Sequence, residues 1–167
     1  MAPSGVSLDD ISIRTYLQSG DIGYVIYLHG LLYRQEFGYS LSFEAYVAQG
    51  LHEFHQQYTD DRNRVWVAEH NGKMIGFLLL MDRGEWAQLR YFIPTPGFRG
   101  MGLGRKLMVH AMEFLTEAGY QKAYLWTTHE QTTAIKMYQR FGFVLSEERE
   151  SSDFGKTLRQ QRYDLLL

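Results

Sequence analysis

Tyr91-Phe92-Ile93-Pro94-Thr95-Pro96-Gly97-Phe98-Arg99-Gly100-Met101-Gly102-Leu103-Gly104-Arg105-Lys106 reads as the end of a strand, a stop, and a glycine-rich loop that opens a helix. Trp86 to Ile93 is apolar and aromatic enough for a strand, and the prolines that follow deny a ladder its N–H donors. From Gly100 to Ala118, the residues Leu103, Leu107, Ala111, Phe114, Leu115 and Ala118 mark one face of a long helix, closed by Gly119. Strand, tight glycine loop and helix is the order in which unpaired N–H groups at a helix start can face an anion, with the helix dipole in support. Arg99 and Arg105 bracket the loop and could pair with a diphosphate, and Lys106 could reach another anionic group. A P-loop would need Ser or Thr after Gly-Lys, and here Gly104 precedes Arg105-Lys106-Leu107. The dinucleotide pattern G-x-G-x-x-G fails as well, since its third glycine falls on Arg105 or on Leu107. The plain alternative is a glycine turn that only lets a helix start close to the sheet.

Working outward, Arg64 to His70 and Met74 to Met81 are apolar, β-branched or aromatic segments joined by Asn71-Gly72, a strong hairpin signal. Upstream, a short extended start spans Ile11 to Tyr16. Ser19-Gly20-Asp21 offers the N-cap of a first helix that carries Ile22, Val25, Ile26, Leu28 and Leu32. Ser42 can cap a second helix to about Tyr58, with Tyr46, Val47, Leu51 and Phe54 on one face. Downstream, Ala123 to Thr127 reads as a strand. Thr132 to Phe141 reads as a helix with Ala134, Met137, Tyr138 and Phe141 inward, and two strands, Phe143 to Arg149 and Gln160 to Leu166, close the chain. The order is β-αα-βββ-α-β-α-ββ.

A chain of 167 residues, 45% hydrophobic, suits a single domain spanning 1–167 with a sizeable core. The net charge is −2 and the basic residues are dispersed, which argues against nucleic acid as a partner. The absence of cysteine excludes disulfides, a thiol nucleophile and thiolate-bound zinc. Met1-Ala-Pro-Ser lacks the basic start and apolar stretch of a leader, and no apolar run is long enough for a membrane span, so a cytoplasmic protein with no membrane partner is expected. His52, Glu53 and His55 lack the H-E-x-x-H spacing and read as a solvated helix face, so no metal is expected.

Arg-x-x-Gly-x-Gly opening a long helix, followed by Ala134-Ile-Lys-Met-Tyr138-Gln-Arg-Phe-Gly142-Phe143, resembles the GNAT superfamily of acyl-CoA-dependent N-acetyltransferases. The element order resembles it from start to end. The region Gly20 to Gly38, with His29-Gly-Leu-Leu-Tyr-Arg-Gln-Glu-Phe, is similar to the acetyltransferase half of bacterial proteins in which this domain follows a MarR-type winged helix. The resemblance implies an α/β (α+β) fold with a mixed, mostly antiparallel sheet of about seven strands and about four helices. It implies acetyl-CoA as donor and a primary amine as acceptor, either a small molecule or a protein lysine. Backbone groups of Phe92, Ile93 and Pro94 would face pantetheine, Arg99, Gly100, Met101, Gly102, Leu103, Gly104 and Arg105 would hold the diphosphate, and Gln131, Ala134 and Tyr138 would complete the cofactor contacts.

Three positions depart from the pattern. Pro94 has no N–H to offer pantetheine. Gln131 stands where many relatives have asparagine in Asn-x-x-Ala. Gln88 stands where the histone-type branch has a glutamate acting as general base, and glutamine takes no proton. The implied chemistry is attack of a neutral amine on the thioester through a tetrahedral intermediate, with the Phe92 N–H as oxyanion donor and Tyr138 as acid for the leaving sulfur. By composition alone the favoured reading of Tyr138 is a tyrosine packed on the sheet with its hydroxyl satisfied, and the matched motif reverses that preference. An amine with a pKa of about 10.4 must lose a proton, and Glu85, Glu36, His29 or water could take it. His29 and Tyr33, four apart on one helix face, with Arg90 on the strand leading into the site, are candidates for the acceptor pocket. The competing readings are a non-catalytic acetyl-CoA sensor or protein-interaction module, and an enzyme with another acyl group. Exposed aromatics or terminal strands could support a homodimer.

Overall fold

The computed structural model describes residues 3–167; Met1 and Ala2 of the amino-terminal start lie outside the described residues. Seven strands form one sheet: β1 (Ser12–Arg14), β2 (Arg64–His70), β3 (Lys73–Arg83), β4 (Trp86–Pro94), β5 (Lys122–Thr128), β6 (Val144–Ser151) and β7 (Leu158–Leu166). Their spatial order is β1-β2-β3-β4-β5-β7-β6, antiparallel except where β4 meets β5. The β2–β3 hairpin turns on Asn71 (φ 51°) and Gly72 (φ 73°), the paired positive φ values of a tight primed turn. The expected order of strands and helices and the mixed sheet are those observed.

Helices α1 (Asp21–Phe37) and α2 (Leu41–Gln57) cover one face of the sheet, and α3 (Leu103–Glu117) and α4 (Thr132–Arg140) the other. Strand β3 shows why its sequence is apolar throughout: Leu78 and Leu80 join the α3 side, whereas Phe77, Leu79 and Met81 join the α1–α2 side, all fully buried. Gly76 lies beneath α3, where an added Cβ would stand 3.1 Å from Leu103 Cδ2. Among the described residues, no helix is long and apolar enough to cross a membrane.

Several expected boundaries shift. The N-cap of α1 is Gly20 in the left-handed conformation, with no side-chain cap, and Ser19 is not used. Asp21 instead accepts the Gln18 N–H at 2.7 Å and pairs with Arg14 at 2.7 Å, which also binds Glu69, so charge pins the helix start to β1 and β2. Helix α2 starts after Ser40, not Ser42, because the Ser40 N–H is anchored on the Phe154 carbonyl at 2.9 Å. Helix α3 begins at Leu103 and not at Gly100, since Gly100 and Gly102 have φ values of 79° and 89° that no right-handed helix accepts. Tyr46 is 42% exposed, unlike its intended face-mates Val47, Leu51 and Phe54, and on α4 only Tyr138 is buried, with Ala134, Met137 and Phe141 half-buried.

Candidate active site

The sheet parts near its middle. β4 pairs with β5 only from Trp86 to Gln88 against Lys122 to Tyr124, although the two strands continue to Pro94 and Thr128. On the other side of β4 the register runs Phe77 to Ile93 and then Leu79 to Arg90, so Tyr91 and Phe92 together oppose Leu78. This is a β-bulge, and Tyr91 carries a φ of 60°. A non-glycine residue in that region costs about 1–3 kcal/mol and persists only when its surroundings hold it. Here the Tyr91 ring is buried on the α1–α2 side, edge-on to His29 at 5.6 Å, with the Arg90 guanidinium 4.7 Å from its centre.

The glycine loop abuts the bulge. An added Cβ on Gly104 would stand 2.9 Å from Phe92 Cζ, so only glycine lets the first turn of α3 approach that ring. The first intrahelical bond runs from the Lys106 N–H to the Gly102 carbonyl at 3.0 Å, which leaves the amides of Leu103, Gly104 and Arg105 without a helical acceptor. Open space surrounds Gly100. Left-handed glycines, free amides and adjacent room fit a diphosphate. Arg105 is exposed beside them, Arg99 pairs with Glu36 of α1 at 2.7 Å while staying 43% exposed, and Met101 packs half-buried on the core. Lys106 Nζ donates to the Leu8 carbonyl at 3.5 Å.

Because β4 and β5 part, side chains from both faces of the sheet line one small cavity of about 80 Å³: His29 and Tyr33 from α1, Gln88 to Phe92 from β4, and Gln131 and Tyr138 from α4 and its start. Tyr138 is buried, edge-on to Phe92 at 5.9 Å, and burial raises its hydroxyl well above the ordinary tyrosine range, so it holds its proton at neutral pH. Its hydroxyl has no hydrogen-bond partner among the described residues. Tyr33 donates to Gln131 Oε1 at 3.3 Å, Gln131 Nε2 donates to Thr128 Oγ1 at 3.4 Å, and Thr128 Oγ1 meets the Tyr39 hydroxyl at 2.6 Å, a relay that ties α1 to the start of α4. Gln131 is thus engaged with Tyr33, and Ala134 lies one turn into α4.

His29 is 2% exposed and stacks on Tyr33 at 5.5 Å and 9°. Its Nδ1 lies 2.8 Å from the Val25 carbonyl, to which it must donate, leaving Nε2 as an acceptor. Burial pulls its pKa down to about 4, so the ring is neutral at pH 7. Of the three side-chain base candidates it alone lines the cavity: Glu36 is paired to Arg99, and Glu85 has an 84% exposed side chain beside Lys122. Gln88 accepts from Arg83 Nε at 2.9 Å and from the Tyr124 hydroxyl at 3.3 Å, so its carbonyl oxygen is fully occupied.

A second, larger cavity of about 520 Å³ adjoins the first and shares Tyr46, Gln88, Arg90 and Trp126 with it. Its further walls come from Glu53, Arg83, Tyr124, Arg149 and Gln160, none of which was singled out as acceptor-site lining in the sequence. Glu53 is bonded to Arg83 and lies 4.0 Å from Arg90, and no group of three or more metal-capable side chains occurs among the described residues.

The profile of the acetyltransferase (GNAT) family matches residues 30–143. An uncharacterised N-acetyltransferase of Escherichia coli is 33% identical over 97 residues, 56% of this chain and 58% of that protein. The streptothricin acetyltransferase of Streptomyces lavendulae is 46% identical over 89 residues, 51% of this chain and 47% of that protein. The chain thus spans about half the length of these relatives. A GNAT-family acetyltransferase from Staphylococcus aureus superposes with a TM-score of 0.77 at 19% identity, covering 94% of this chain and 99% of that one. The spermidine N-acetyltransferase of Vibrio cholerae, in complex with CoA and spermine, superposes with a TM-score of 0.70 at 23% identity, covering 95% and 96%. These two likenesses establish the fold.

Proposed function

This chain belongs to the acetyltransferase (GNAT) family, and from that premise we propose that it moves an acetyl group from acetyl-CoA to a primary amine by direct attack on the thioester. One observation carries the reading: the parted strands β4 and β5 bring the Tyr91–Phe92 bulge, the glycine turn and buried Tyr138 to one gap. Acetyl-CoA, when bound, supplies a thioester carbon open to a neutral nitrogen.

The chain's own groups divide the work. Backbone groups of Phe92, Ile93 and the carbonyl of Pro94 would face the pantetheine arm, and Arg99 to Gly104 with Arg105 would hold the diphosphate through amides and guanidinium. Gln131 and Ala134, where α4 begins, would complete the cofactor contacts. The Phe92 N–H donates to the carbonyl oxygen as charge develops there, a contribution of about 3–4 kcal/mol in comparable sites. Tyr138, kept protonated by burial, delivers its proton to the departing sulfur. His29, Tyr33 and Arg90 shape the acceptor end. With Gln88 occupied by two donors and His29 made a weak base by burial, the amine's proton leaves through ordered water.

Within this reading the chain acts as one acetyltransferase domain in the cytoplasm, of the branch found beside MarR-type winged helices, where His29-Gly-Leu-Leu-Tyr supports the assignment. A protein lysine is the alternative to a small-molecule acceptor, and a homodimer would use the exposed outer strand β6, where Val144 and Leu145 face solvent.

The melting temperature with acetyl-CoA, CoA and ATP tests the cradle, since ligand at 100 times its dissociation constant adds about 2.7 kcal/mol of stability. A shift with both CoA species and none with ATP is expected, followed by amine-dependent CoA release. Binding without release for any amine would instead favour a non-catalytic acetyl-CoA sensor.

A further inference from the structure

The larger cavity has a charge imbalance that the family assignment does not explain. Its lining carries Arg83, Arg90 and Arg149 against a single carboxylate, Glu53. Arg83 takes that carboxylate and also bonds Gln88. Arg90 is left 4.0 Å from Glu53 Oε2, with a side chain only 10% exposed, and its one closer polar contact among the described residues is the Met81 sulfur at 3.8 Å. A guanidinium has five N–H donors, and enclosing it without oxygen acceptors is unfavourable. The faces of Tyr46 and Tyr91, 5.3 Å and 4.7 Å from its carbon, hold it in place. Beside it the Tyr91 hydroxyl is buried with no hydrogen-bond partner among the described residues. Arg149 lies across Trp126 at 4.6 Å and, among the described residues, bonds only the neutral amide of Gln160, at 2.9 and 3.2 Å.

We propose that the acceptor bound here is a small primary amine that carries an acidic group, carboxylate or phosphate, which Arg90 and Arg149 hold while the amine points into the gap between β4 and β5. The inference rests on the acetyltransferase reading and deepens it. Guanidinium forks match both acids bidentately. The four residues shared by the two cavities form the passage between acid and thioester. In the transfer a C–N bond forms, the C–S bond breaks, the nitrogen gives up one proton and CoA leaves with its sulfur protonated. A polyamine such as the spermine bound in the Vibrio cholerae enzyme would set positive charges against these arginines.

The test begins with the melting shift by acetyl-CoA and continues with CoA release for amino acids, their amides, aminoalkylphosphonates, hexosamine phosphates and spermidine. An acidic amine is expected to exceed its amide at least tenfold in kcat/KM, and the leading acid identifies carboxylate or phosphate as the group recognised. Arg149→Gln, at an exposed strand position, and Arg90→Gln should each raise KM for that amine at least tenfold and leave the acetyl-CoA melting shift intact. Equal use of acid and amide, or preference for spermidine, would overturn the proposal. So would a protein that binds CoA yet neither acetylates any acidic amine nor gains melting temperature from one. A missing acetyl-CoA shift would remove the acetyltransferase reading itself, a separate result.

Discussion

The Tyr91 hydroxyl occupies the space that a Cβ on Gly50 would fill, and both terminal nitrogens of Arg90 lie 2.8 Å from the same point. Helix α2 therefore passes over the bulge of β4 at a distance only a glycine permits. Alanine normally improves a helix interior by about 1 kcal/mol over glycine. At position 50 overpacking should outweigh that gain, and Gly50→Ala is expected to destabilise by about 1–3 kcal/mol. Gly23→Ala in α1, with nothing within 4 Å and no positive φ, should stabilise by about 0.4–1 kcal/mol. Denaturant melts of the two variants with opposite signs check the relationship; a stabilised Gly50→Ala would refute it.

Tyr138→Phe keeps the ring against Phe92 and Phe143 and removes only the hydroxyl. A proton donor to the sulfur contributes on the order of 10²–10⁴-fold. We expect kcat to fall by about 10²-fold, with the acetyl-CoA melting shift retained. An unchanged kcat would leave Tyr138 as a packing residue.

Gly104→Ala places a methyl against the Phe92 ring at the start of α3. The ring must move or the turn must lift, and either change alters the cradle and the amide above it. Affinity for CoA, measured by calorimetry, should fall at least about tenfold, roughly 1.4 kcal/mol. Undiminished affinity would show that the first turn of α3 does not hold the diphosphate.

His29 gives the protein an acid limb of known sign. Its folded pKa of about 4 lies below the ordinary value of 6.5, so between these values the unfolded chain binds a proton that the folded chain refuses. Stability should therefore be full above about pH 6.5 and decline as the pH falls toward 4, by up to about 3 kcal/mol. His29→Phe, which keeps a ring on Tyr33, should flatten this slope relative to wild type in urea melts at pH 4.5 and 7. Parallel pH profiles would mean that another group carries the acid loss.

Much of the fold was legible because its signals are local. Asn71-Gly72 sets the hairpin, Pro94 and Pro96 end β4, and the Leu103-Leu107-Ala111 face fixes α3. The cap of α1 falls on Gly20, inside the Ser19-Gly20-Asp21 stretch, whereas the cap of α2 was misplaced because Phe154, distant in sequence, anchors Ser40 where that helix begins. The bulge was invisible for the same reason. Nothing in Arg90-Tyr91-Phe92 demands a positive φ, which follows from packing between Gly50, His29 and the sheet. The glycine turn, Tyr138 and the His29–Tyr33 pair could be picked out as candidates. Arg149 could not, because β7 inserts between β5 and β6, and only that crossing lays Arg149 over Trp126.

The three-residue pairing of β4 with β5 has an evolutionary corollary. A sheet in which these strands stayed zipped would gain ladder hydrogen bonds and shut the passage between its two faces. Substitutions selected only for thermal resistance should therefore drift toward closing the seam, and a hardened descendant of this protein would be the one to watch for loss of turnover.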